Sequence, residues 1–137
     1  MKLGIAEILK QVDSVSTKAE KIEILQKNNS VPLQTILKYA LDPNIVWALP
    51  KGDPPYTKNP YTDQQTNLYS EARRLYLFIE GGHPTLSQSK REMLFIQFLE
   101  NLDKDDAKVI LSIKNKKVPA KGVTLKFVQE VFPGLIE

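Results

Sequence analysis

Apolar residues recur at helical spacing in stretch after stretch of this chain, and most of those stretches open behind a short polar residue able to cap a helix. No strand signal of any weight competes with them: period-two alternation is absent, and β-branched residues fall on the helical stripes. The pattern predicts an all-α fold of about seven short helices. With 137 residues, 42% of them apolar, the chain can enclose one core, so a single helical domain over 1–137 is expected.

In the first stretch Leu3, Ile5, Ala6, Ile8, Leu9 and Val12 share a face. Thr17-Lys18-Ala19-Glu20 then has the form of a capping box, in which threonine and glutamate satisfy each other's orphan amides. The helix behind it runs to about Lys27 and is expected to bury Ala19, Ile22 and Leu25. Asn28-Asn29-Ser30 breaks it. Ser30 or Val31, with Pro32, opens a third helix with Leu33, Ile36, Leu37, Ala40 and Leu41 inward, and Asp42-Pro43 stops it.

Residues 43–62 read as a proline-rich loop within the domain, pinned by Trp47 as a core plug, with at most a short apolar turn over 45–49. Tyr56 and Tyr61 are expected to pack in its turns. Asn67 to Glu80 is expected to be the most central helix, because Leu68, Ala72, Leu75 and Ile79 make one stripe that Tyr76, Leu77 and Phe78 widen almost all round. Gly81-Gly82-His83-Pro84 is its stop signal, and His83 reads as a surface or capping residue. Ser87 caps a helix to about Leu102 with Leu94, Phe95, Phe98, Leu99 and Leu102 inward and Lys90 and Arg91 outward. Asp103 caps the next, and Asp105 and Asp106 sit in its first turn, where the helix dipole favours carboxylates. Thr124 opens the last helix with Leu125, Val128 and Val131 inward, and Phe132 to Ile136 forms a turn that folds back on the core.

Chemistry is sparse. The chain has no cysteine and one histidine, which rules out a disulfide framework and thiolate metal sites. GxSxG, HExxH and GxxxxGK[ST] patterns are all missing, and Asp103, Asp105 and Asp106 are accounted for by capping. Lys51-Gly52-Asp53-Pro54 reads as a loop, since proline replaces the glycine of a nucleotidyl-transferase Lys-x-Asp-Gly. The expectation is a non-enzymatic protein without cofactor or metal. No apolar run approaches the roughly 20 residues of a membrane span, so a soluble, cytoplasmic protein without a membrane partner is expected.

Charge carries more. The net charge of +3 is modest, yet from Ala107 to Val128 there are six lysines and no carboxylate. Lys114, Lys116, Lys117 and Lys121 lie on a connection closed by Gly122, just before the Thr124 helix with its Lys126. Ammonium groups beside a glycine turn and a helix N-terminus suit phosphate oxygens. Thr17 and Lys18 offer a second helix start with lysines. Lysine lacks the fork that reads a guanine edge, so such a site grips backbone without reading sequence. Arg73-Arg74 and Lys90-Arg91 are weaker patches, read as ordinary surface.

Four short motifs add a resemblance: Ser-Thr-Lys at Ser16 to Lys18, Ile-Leu-x-Lys-Asn at Ile24 to Asn28, Lys-Asp-Asp at Lys104 to Asp106, and Pro-Gly-Leu-Ile at Pro133 to Ile136. In this order, and with the spacing from Lys104 to Ile136, they resemble the N-terminal all-helical DNA-binding domain of the ATP-dependent DNA ligases of T-even-type bacteriophages. The chain is also similar to small stand-alone proteins of T-even-like phages of marine cyanobacteria. In the ligases this domain serves as a clamp on duplex DNA beside a nick, and Pro-Gly-Leu-Ile leads into an adenylation domain that the present sequence, ending at Glu137, does not contain. The resemblance therefore implies a DNA-gripping domain without catalytic machinery, an accessory of phage replication or repair whose partner is duplex DNA, nicked or intact. The rival reading is a protein-interaction module that binds a host or replication protein through Pro50 to Pro60 or through Phe132 to Ile136.

Overall fold

Each helix but the first begins where the sequence places its cap or at the end of the proline-rich stretch. A computed structural model describes residues 3–58 and 67–137. Among these are seven α-helices: α1 Ile5–Ser14, α2 Lys18–Lys27, α3 Val31–Leu41, α4 Asn67–Glu71, α5 Gln88–Glu100, α6 Lys104–Lys114 and α7 Leu125–Val131. The expectation for Tyr61 lies outside the described residues.

Side-chain oxygens take orphan amides at five helix starts. Thr17 accepts from the Glu20 amide at 3.2 Å, Ser30 from Leu33 at 3.2 Å, Ser87 from Lys90 at 3.3 Å, Asp103 from Asp105 at 3.0 Å and Thr124 from Phe127 at 3.3 Å. At Thr17 only half of the expected box forms, since the Glu20 carboxylate accepts the Thr17 hydroxyl at 2.7 Å instead of the Thr17 amide. Helix α1 has Gly4 at its N-cap, and its cap comes from elsewhere: Asp106 on α6 accepts the Ala6 amide at 3.0 Å.

One hydrophobic cluster joins all seven helices. Its centre is α6, on which α1, α3 and α5 all pack and which buries Ala107, Val109, Ile110, Leu111 and Ile113. That place was expected for the Asn67 to Glu80 stretch. There the α-helix ends at Glu71, and Ala72–Phe78 winds on as a 3-10 helix. Three residues per turn put Ala72, Leu75 and Phe78 on one buried face and leave Tyr76 45% exposed. The winding ends at the next residue. Ile79 is extended and pairs antiparallel with Trp47, through Ala48 N–H to the Phe78 carbonyl and Glu80 N–H to the Val46 carbonyl, both 2.8 Å. This isolated bridge ends the winding before the glycines, and it makes the segment around Trp47 extended in place of the apolar turn. Trp47 also donates its indole N–H to the Tyr39 carbonyl at 3.2 Å and meets the Tyr39 ring edge-on. Phe78, Phe95 and Phe98 form an edge-to-face trio with centroids 5.1 and 5.4 Å from Phe78.

Further departures concern which face turns inward. Ala19 is exposed, whereas Lys21 is buried and donates Nζ to the Val12 carbonyl at 2.8 Å. Arg91, expected outward, is buried. Its guanidinium serves the Leu77, His83 and Leu86 carbonyls, at the end of the 3-10 helix and in the following turn, and Gln88 Oε1, all at 2.7–3.3 Å. In α7, Phe127 is buried and Leu125 only half-buried. The C-terminal turn folds its two aliphatics back as expected, Ile136 into the core and Leu135 half-buried against it, and Phe132 is buried as well.

Candidate nucleic-acid interface

The lysine-rich connection after α6 splits into two kinds of lysine. Helix α6 closes with the pair of bonds of a Schellman motif: Lys116 N–H to the Ile113 carbonyl at 2.9 Å and Lys117 N–H to Ser112 at 3.0 Å. Such a motif needs a left-handed residue, and Lys116 supplies it with φ 61° where glycine is usual. That conformation aims the side chain at the end of α3. Nζ there donates to the carbonyls of Tyr39 at 3.0 Å, Asp42 at 2.8 Å and Ile45 at 3.0 Å. Lys116 is half-buried, whereas Lys114 is buried and donates to the Gly52 carbonyl at 2.9 Å. Burial pulls both ammonium groups below the ordinary lysine range, against the opposing pull of Asp53 on Lys114 and Asp42 on Lys116. Both lysines, expected at a phosphate, hold main chain instead: Lys114 that of the proline-rich segment at Gly52, and Lys116 the end of α3 together with Ile45 of that segment. Lys117 is exposed.

Four of the other expected residues, Lys18, Gly122, Thr124 and Lys126, converge. Helix α2 packs against α7, which brings Ser16, Lys18 and Lys21 opposite Gly122, Thr124, Lys126, Phe127 and Glu130 around an open groove of about 370 Å³. Gly122 turns the chain at φ 79°, and a β-carbon there would stand 3.7 Å from Lys21 Cε, an ordinary contact; its positive φ is what favours glycine. Thr17 flanks the groove with its hydroxyl committed to Glu20. Lys121 is exposed, and its amide is fixed by Asp13 Oδ1 at 2.8 Å. Helix α1 thus anchors both walls, through Val12 to Lys21 and through Asp13 to Lys121.

Lys18 and Lys126 thus line the groove beside the first turns of two helices, and Lys121 is exposed on the connection just before Gly122. The groove also holds an acid that sequence reasoning did not place there: Glu130 pairs with Lys18, both well exposed. An exposed pair of this kind contributes little to stability and opens readily to a competing anion. The inward lysines carry no signal in the sequence, because their partners are main-chain carbonyls. Glu130 had a weak one, lying one helical turn from Lys126 on the same helix.

Among the described residues no group of histidine, aspartate or glutamate is arranged to hold a metal ion, and no helix is long and apolar enough to cross a membrane. No curated protein matches the chain. Residues 8–120, well over half of its length, match the model of a family of unknown function, DUF6433, and the chain belongs to that family.

Proposed function

We propose that the protein binds duplex DNA through its phosphate backbone, without reading sequence and without catalysis, by the groove between α2 and α7. The observation that supports this most is the meeting of two distant lysine-bearing helix starts, Thr17 to Lys21 and Lys121 to Lys126, on one surface. Lys18, Lys121 and Lys126 are the phosphate contacts, the hydroxyl of Thr124 and the turn at Gly122 frame them, and Lys117 adds a fourth charge on the same connection. An accessory role in phage replication or repair follows from the ligase resemblance. Lys114 and Lys116 drop out of the contact set because their ammonium groups are occupied. About three to four neutralised phosphates imply a salt slope of roughly −2.7 to −3.6 and weak affinity at physiological salt.

Fluorescence anisotropy of labelled duplex, nicked duplex and single strand at two salt concentrations tests the reading. Binding should weaken with salt and fall at least fivefold in a Lys121→Glu/Lys126→Glu variant, with Lys51→Glu as a distant control. Salt-independent binding, or equal loss in the control, contradicts it.

A protein-interaction role has its own observation in favour. Leu49, Pro50, Pro54, Phe95 and Ile96 line an apolar cleft between the proline-rich segment and α5. Recovery of one stoichiometric host or replication protein, insensitive to nuclease and lost on Ile96→Asp, would move the function there.

A further inference from the structure

Asp106 occupies the third position of α6 with 1% of its surface exposed. Its Oδ1 accepts the Ala6 amide, and through that bond it caps a helix whose own N-cap residue, Gly4, has no side chain to offer. Its Oδ2 is also buried and has no hydrogen-bond partner among the described residues. An ionised carboxylate in that position would hold a charge on a buried oxygen that no second protein donor compensates, whereas the neutral acid leaves only one O–H to place.

The surrounding charges press in the same direction. Glu7 faces Asp106 from α1, Asp103 and Asp105 from α6 itself, and the Tyr69 phenol from α4. The Glu7 carboxylate accepts the Gly4 amide, Asp103 caps α6, Tyr69 donates to the Leu3 carbonyl, and the Lys10 cation is taken by Asp105 at 3.2 Å. The Ala6 amide and the N-terminus of α6 favour the anion. Burial outweighs them and, with the three carboxylates, pushes the Asp106 carboxyl up to about 7.

We propose that Asp106 is a proton-held clasp on α1, which seats the first turn of that helix when neutral and loosens it when ionised. The reach of such a clasp extends along α1 to its other end, where Val12 and Asp13 hold Lys21 and Lys121. A DNA affinity that declines above neutral pH would result, and that consequence alone rests on the function proposed above.

The clasp is tested without DNA. Amide hydrogen exchange of Ala6 and Ile8, corrected for intrinsic rates, is compared at pH 5.5 and 8.5 in the wild type and in Asp106→Asn. An open form with an ordinary aspartate should be about tenfold or more better populated at the higher pH in the wild type, and changed less than twofold in the variant. The Asp106 carboxyl carbon, followed by NMR in the wild type, should titrate near neutrality, which keeps the test decisive if the variant folds poorly. A carboxyl midpoint below about 5, a pH-independent α1, or the same loss in Asp106→Asn overturns the clasp, whatever the groove binds.

Discussion

The ammonium of Lys116 stands 2.8 Å from the carbonyl oxygen of Asp42, so the residue just past the end of α6 stoppers the end of α3. A cation at a helix C-terminus satisfies carbonyls that the helix itself cannot. Two effects oppose each other at this position, the strain of a left-handed lysine and the three bonds its side chain makes. Lys116→Met keeps the strain and loses the bonds, and is expected to cost about 2–4 kcal/mol. Lys116→Gly also loses the bonds but relieves the strain, and should cost about 1 kcal/mol less. Urea unfolding of both variants checks the order; a glycine variant no better than methionine would mean that the φ value is not strained.

Arg91 is a second inward cation, and its charge matters less than its shape. Three nitrogens reach four oxygens in a fork that an ammonium cannot copy. Arg91→Lys should therefore destabilise by roughly 1.5–3 kcal/mol despite keeping the charge. Thermal unfolding followed by circular dichroism measures it, and a variant within about 0.5 kcal/mol of wild type would show that water completes the missing bonds.

Gly82 and Gly134 separate two reasons for a glycine. A β-carbon on Gly82 would fall 1.8 Å from the Tyr76 carbonyl oxygen, whereas one on Gly134, at φ 86°, would meet only open space. Gly134→Ala should cost about 1 kcal/mol of backbone strain. Gly82→Ala must displace main chain and should cost upward of about 3 kcal/mol, or prevent folding. Equal midpoints for the two in a denaturant series would contradict this.

Stability should also carry the mark of Asp106. Its folded value, about 7, lies above that of an unfolded aspartate, so the folded protein retains a proton that the unfolded chain has released. The contribution is intact below about pH 4, lost as pH rises toward 7, and level above that, with a total of about 2–4 kcal/mol. Unfolding free energies at pH 4.5, 6 and 8 should thus diverge between wild type and Asp106→Asn in favour of the variant at high pH. Parallel curves would exclude it.

Helix starts were legible because a capping residue announces them locally: Thr17, Ser30, Ser87, Asp103 and Thr124 all cap where the sequence put them. The 3-10 winding of Ala72–Phe78 was not, and it stops at an extended pair with Trp47 that local propensity cannot foresee. For the candidate site, the segments Thr17 to Lys18 and Lys121 to Lys126 were legible singly, and their meeting was not. Lys114, Lys116 and Arg91 misled for one reason. A cation that faces solvent and one that faces a distant carbonyl are written with the same letter.

Trp47 gives the molecule an internal optical gauge. As the single tryptophan, it is held at once by the Tyr39 carbonyl, the Tyr39 ring and the Ile79 bridge, all contacts between the proline-rich segment and the helical body. Its emission therefore reports whether that segment is seated, while far-ultraviolet dichroism reports the helices. Detachment of the segment alone would redden the fluorescence and leave the helical signal unchanged, so the two spectra together tell a local undocking from the collapse of the fold.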